Sequence, residues 1–266
     1  MPTSTATVSA SSITSPAGTT SPAGRILAAA CLIATGLAGV LTTVLLPPAG
    51  EGDDVASIDR FAAHAGRVDA GLAVEALVVL LGAATAIAAL LAFPRSRRLA
   101  SVGGWLGIIS GGAWIGLVST DNVRAAAAEH DHAAGAALMQ TMSESAQFQV
   151  FVALSLLGGL VSMVCLGIAL WRSRAIPRWA AATFVLYQPV NFAGGGSGAV
   201  GTVANALMLV GFAACAVTIL RAGLPALAVG ASQAGSTTPA RAAAPSAPST
   251  PAPAAPAASP ASTPAH

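Results

Sequence analysis

The chain has 266 residues; 55% are hydrophobic, only 8% are charged, and the formal net charge is +2. Soluble domains usually carry about 25% charged residues, so this chain has too little charge to cover a water-facing surface. So small a net charge, with no basic cluster larger than three arginines, argues against a nucleic-acid-binding surface.

Residues 1–24 are Ser, Thr, Ala, Pro and Gly, with TSPAG at 14–18 and again at 20–24. This composition cannot bury a core and predicts a disordered tail. Residues 222–266 read the same way, an Ala/Pro/Ser-rich tail expected to be a solvated chain with no specific role, the alternatives being glycosylation or a protein partner. Between the tails, apolar blocks of about 20 residues match the length needed to cross roughly 30 Å of hydrocarbon. They predict an all-α bundle of six transmembrane helices over 25–221, with spans at about 26–47, 70–92, 99–119, 148–171, 179–193 and 199–220. The first is too long for a signal peptide and reads as a retained anchor. The fifth is short and carries Pro189, a residue tolerated in lipid only where neighbours satisfy the freed carbonyl.

Arginine sets the orientation. Arg95, Arg97 and Arg98 lie between spans two and three, and Arg172, Arg174 and Arg178 between spans four and five; Arg25 precedes the first span and Arg221 ends the last. The alternate connections, 48–69 and 120–147, carry five and four acids (Glu51, Asp53, Asp54, Asp59, Asp69; Asp121, Glu129, Asp131, Glu144). The positive-inside rule places the arginine connections in the cytoplasm with both termini, and the acidic ones outside. Trp171 and Trp179 flank the second arginine connection, at the interface. Segments 55–68 and 123–142 hold many helix formers and few breakers. They predict short helices over the outer face.

Gly103, Gly107 and Gly111 recur every four residues in span three, joined by Gly112 and Gly116. Small residues at this spacing let helix backbones approach closely in lipid, so span three is expected at the centre. The three cysteines, Cys31, Cys165 and Cys215, sit in apolar runs and read as small hydrophobes.

Glu75 is the one charged residue well inside a span. A carboxylate in hydrocarbon costs about 3 kcal/mol on insertion scales, so it should face protein or water. At 100° per residue it shares a stripe with Gly71, Gly82 and Ala86. It lies about 8 Å below the outer end of its span. Asn205, Gln188 and Tyr187 fall at similar depth, as do Thr42, Thr43, Trp114 and Ser155. This polar layer is either interhelical hydrogen bonding or a ligand, proton or ion site open to the outside. A second candidate is a metal site from His64, His130, Asp131 and His132. Imidazole and carboxylate suit zinc or copper, but on a helix His130 and His132 point about 200° apart. GGGSG at 194–198 follows no strand and reads as a turn, and no Walker loop, nucleophile elbow or CxxC pair is present.

The segments RILAAACLIATGLAGVL (25–41), HAGRVDAGLAV (64–74) and LWRSRAIPRWAAATFVL (170–186) resemble those of a loosely defined group of actinobacterial multi-pass membrane proteins without an assigned activity. The resemblance covers 25–221 and implies a six-helix bundle, with no functional residue to carry over. The expectation is a multi-pass protein of a bacterial plasma membrane, with the lipid bilayer as its partner. It needs no cofactor and does no enzymatic chemistry. The alternatives are a small transporter or ligand-binding protein using the layer around Glu75, or a metal-binding protein using the outer histidines.

Overall fold

Ser21 opens the first helix, its hydroxyl accepting from the Gly24 amide at 3.2 Å with Pro22 next to it, an N-cap and N1 pair that suits a helix start. The computed structural model describes residues 21–48, 54–193 and 198–224, all within the compact unit Met1–Ala226. Both expected tails beyond these limits, and most of the GGGSG turn, lie outside the described residues. So do Glu51 and Asp53.

Among the described residues eight α-helices follow in order: α1 Pro22–Leu45, α2 Asp54–Ala63, α3 Ala65–Glu75, α4 Leu81–Ala128, α5 His132–Glu144, α6 Ala146–Ser173, α7 Arg178–Ala193 and α8 Gly198–Ala222. A 3₁₀ segment, Ala76–Leu80, joins α3 to α4. Four helical stretches are long and apolar enough to cross a membrane: α1, the 64-residue run Ala65–Ala128, α6 and α8. Large apolar side chains also face outward, among them Leu27, Trp105, Leu157 and Trp179, each more than 60% exposed. An outer surface this apolar suits lipid rather than water.

The 64-residue run is a hairpin. Gly111 lies against Gly82, Gly107 against Thr85 and Gly104 against Ala89. In a straight helix Gly82 and Gly111 would stand about 44 Å apart at 1.5 Å per residue. The chain reverses at Ser96, the one residue of α4 with non-helical dihedrals (φ −138°, ψ 44°), two positions after Pro94. Spans two and three are therefore joined by a far tighter turn than their arginine-rich connection implies. Proline removes an amide from the helical ladder there, which makes the reversal easier.

The second leg of α4 packs on α6 as well as on the first leg. Gly103 approaches the Ser162 carbonyl and Leu166 amide of α6, and Gly116 meets the Phe151 ring. Ser162 donates to the Gly103 carbonyl at 2.7 Å, and Ser110 to the Ser155 carbonyl at 2.9 Å. The expected central position of this segment matches these contacts. Gly112 is the exception: a methyl group added there would meet nothing within 4 Å. On the other side α1 packs along α8 through Gly36 and Gly39, and Phe184 of α7 meets Phe212 of α8 edge-on at 5.4 Å.

At the arginine end, Arg174 takes a left-handed conformation (φ 54°) that closes α6, and the Arg178 guanidinium lies 5.7 Å over the Trp171 ring. At the acidic end, α2 and α5 pack with α4 around Ile58, Ala127 and Met139. The helices expected there are present, with different limits. α3 begins at Ala65 and runs straight into the first leg, and the second leg continues to Ala128 before turning into α5.

Candidate functional site

Glu75 ends α3, where the helix tightens into the 3₁₀ segment. That over-wound turn changes the phase of the chain, so the expected stripe of small residues divides. Gly71 faces Leu45 and Leu46 of α1, whereas Gly82 faces Ile108 and Gly111 on the second leg of α4. Glu75 lies between the two contacts, 3% exposed, on the wall of a partly enclosed cavity of about 490 Å³.

The cavity brings together much of the polar layer. Glu75, Asn205 and Tyr187 all line it, with Thr42, Thr43, Trp114, Asp121 and Asn191; Val78, Leu81, Leu117, Leu156, Phe192 and Met208 supply its apolar wall. Gly39 keeps α1 close enough to α8 for the site to form, since a Cβ there would fall 2.6 Å from Asn205 Oδ1. Asn205 donates to the Gly201 carbonyl at 3.0 Å, leaving its oxygen as the free end. Thr43 donates to the Val40 carbonyl at 2.8 Å and accepts from Thr202 at 3.2 Å.

Gln188 does not join this cavity. It lines a smaller neighbouring pocket of about 30 Å³ with Thr85, Ser110, Ser155 and Ser162. Leu81, Trp114, Leu156, Tyr187 and Asn191 form walls of both. Thr85, Ser110 and Ser162 all donate their hydroxyl protons to helix carbonyls, so they present lone pairs to other partners. Depth along the helix was readable for Gln188, but the direction it faces was not.

Asp121 is the site residue that sequence reasoning missed. The second leg of α4 carries it past the end of the apolar run, and its carboxyl interacts electrostatically with Glu75. Arg124, one helical turn on, forms an ion pair with Asp121, their side chains 16% and 20% exposed. The available signal was DNVR, an acid and a base three apart on a helix, following a residue pattern that never breaks. Glu75 forms no ion pair among the described residues, but its carboxyl interacts with both Asp121 and Arg124, and only its Oε2 is without a hydrogen-bond partner there.

The four outer metal candidates do not converge. Asp131 caps α5, accepting from the Ala133 and Ala134 amides at 3.0 and 3.1 Å. His132 Nδ1 pairs with Asp59 Oδ1 at 2.7 Å, tying α5 to α2. His64 bonds the Arg60 carbonyl at 2.9 Å, and His130 is exposed. Among the described residues no three His, Cys, Asp or Glu side chains gather closely enough to hold a metal. Chelator treatment is accordingly expected to leave the melting temperature of the purified protein unchanged. A fall reversed by zinc or copper would contradict this arrangement.

No protein-family model, curated protein or solved structure matches this chain. The site therefore stands on its own geometry.

Proposed function

We propose that the chain is a multi-pass plasma-membrane protein, a small transporter or ligand-binding protein rather than an enzyme, whose ligand site is the Glu75 cavity. The observation that carries this is a buried carboxyl with no ion pair of its own among the described residues, on the wall of a chamber large enough for a small molecule. Its position beside an interrupted helix supports the same reading, since membrane transporters place binding sites where a helix leaves regular geometry.

In this reading the chain crosses six times: α1, the run from α3 through the first leg of α4, the second leg of α4, α6, α7 and α8. Its arginine end lies in the cytoplasm. α7 has 16 residues, about 24 Å, and spans only where the bilayer thins or its flanks complete the crossing. The second leg of α4, from Ser96 to Ala128, is about 48 Å long and exceeds the hydrocarbon thickness of about 30 Å, so in this reading Asp121 and Arg124 lie near the outer headgroups and the cavity has a route to the outside.

Cysteine labelling in intact cells tests both parts, in a background with the three native cysteines replaced. Asn191→Cys, on the cavity wall, is expected to react with a membrane-impermeant maleimide added outside. Arg174→Cys is expected to react only after permeabilisation. An Asn191→Cys protein inert from both sides would remove the ligand-site reading, and Arg174→Cys labelled from outside would invert the topology.

A further inference from the structure

The charges around the cavity restrict what it can hold. Among the described residues that line it, Glu75 and Asp121 are the carboxylic acids, and there is no arginine, lysine or histidine. Asp121 is neutralised by Arg124. Glu75 shares that one arginine with Asp121 and has no ion pair of its own among the described residues, so two carboxyls stand against one cation. The nearby donors are neutral. Thr43 gives its one hydroxyl hydrogen to a helix carbonyl, Asn205 gives one of its two amide hydrogens to the Gly201 carbonyl, and Trp114 Nε1 and Thr42 Oγ1 have no partner among the described residues. An anionic ligand would thus meet a carboxyl and neutral dipoles, with no cation among the described residues of the wall.

A cation meets the opposite. Glu75 supplies charge, and Trp114, Tyr187 and Phe192 line the same cavity with aromatic rings, a group whose faces attract a positive charge. The rest of the wall is mostly apolar, with Thr42, Thr43, Asn191 and Asn205 as its neutral polar groups, so the charged end belongs to a body that is mostly apolar. A bare divalent ion does not fit, because hard cations need six or more oxygens and no cluster of three metal-ligating side chains occurs among the described residues.

Resting on the reading of this cavity as a ligand site, we propose that its ligand is a lipophilic monocation: a small amine or ammonium compound with an apolar body, its charged end on Glu75.

The test uses the full chain purified into lipid nanodiscs, with 2-phenylethylammonium as probe and 2-phenylethanol as its uncharged counterpart, followed by calorimetry. The ammonium is expected to bind, the alcohol to bind at least about tenfold more weakly, and Glu75→Gln to weaken ammonium binding by about tenfold, the size of one charged hydrogen bond. Equal binding of both probes, unchanged by Glu75→Gln, would keep the ligand site and overturn the cation. No binding of either probe, with Asn191→Cys still reactive from outside, would also overturn the cation alone. No binding together with an inert Asn191→Cys would overturn the site itself. If Glu75→Gln fails to fold, acidification of the wild type replaces it. Acid favours the neutral forms of Glu75 and of Asp121 beside it while the ammonium keeps its charge, so binding must fall, and constant binding overturns the proposal.

Discussion

Alanine at Gly111 is expected to destabilise the protein by about 1–3 kcal/mol, while alanine at the next residue, Gly112, leaves it unchanged or slightly more stable. A Cβ on Gly111 would lie 2.7 Å from the Gly82 amide nitrogen and 3.0 Å from its Cα. Those atoms belong to the backbone of the opposing leg and cannot rotate away, so the whole hairpin must open. At Gly112 the added methyl meets nothing within 4 Å, and alanine is the better helix former. Thermal unfolding in detergent measures the pair directly. Equal losses at both positions would mean that the legs of α4 do not pair in this register.

The second large effect is expected at Arg124. Replacing it with glutamine leaves Asp121 beside Glu75 without its countercharge. Breaking a fully buried ion pair costs about 3–5 kcal/mol, and the partial exposure of this one brings the expectation to about 2–3 kcal/mol. Asp121→Asn should cost less, because it removes the repulsion with Glu75 together with the attraction to Arg124. The double variant Arg124→Gln/Asp121→Asn should recover most of the loss, and a double-mutant cycle reads the coupling. A double variant no more stable than Arg124→Gln would show that the guanidinium acts by packing and not by charge.

Helix placement was legible because lipid imposes it: long apolar blocks and arginine-bearing connections are strong signals that need no tertiary context. The packing of Gly103, Gly107 and Gly111 was legible for a similar reason, since four-residue spacing fixes a common face. Gly112 shows the limit of that argument, because composition marks a small residue without saying whether a neighbour stands opposite. The site was legible in part. Glu75, Asn205 and Tyr187 do share a cavity, because depth along a helix follows from counting residues. Gln188 was counted equally well but faces the smaller pocket. Asp121 was hidden by hydropathy, which falls at Ser119–Asp121, while the helix itself continues through Val123–Ala128 on alanine propensity. Nothing in ALVVL announces a 3₁₀ segment; it lies between the contact of Gly71 with α1 and that of Gly82 with the second leg.

That segment also links length to angle. The five residues Ala76–Leu80 rise about 2.0 Å each as 3₁₀ helix and would rise about 1.5 Å each as α-helix. Rewinding them would draw α3 toward α4 by about 2.5 Å and turn it by about 100° about its axis. Glu75, fixed to the last turn of α3, would swing with it. A pull along the helix axis and a change in which wall the carboxyl faces are therefore one motion, as thread and pitch are in a screw.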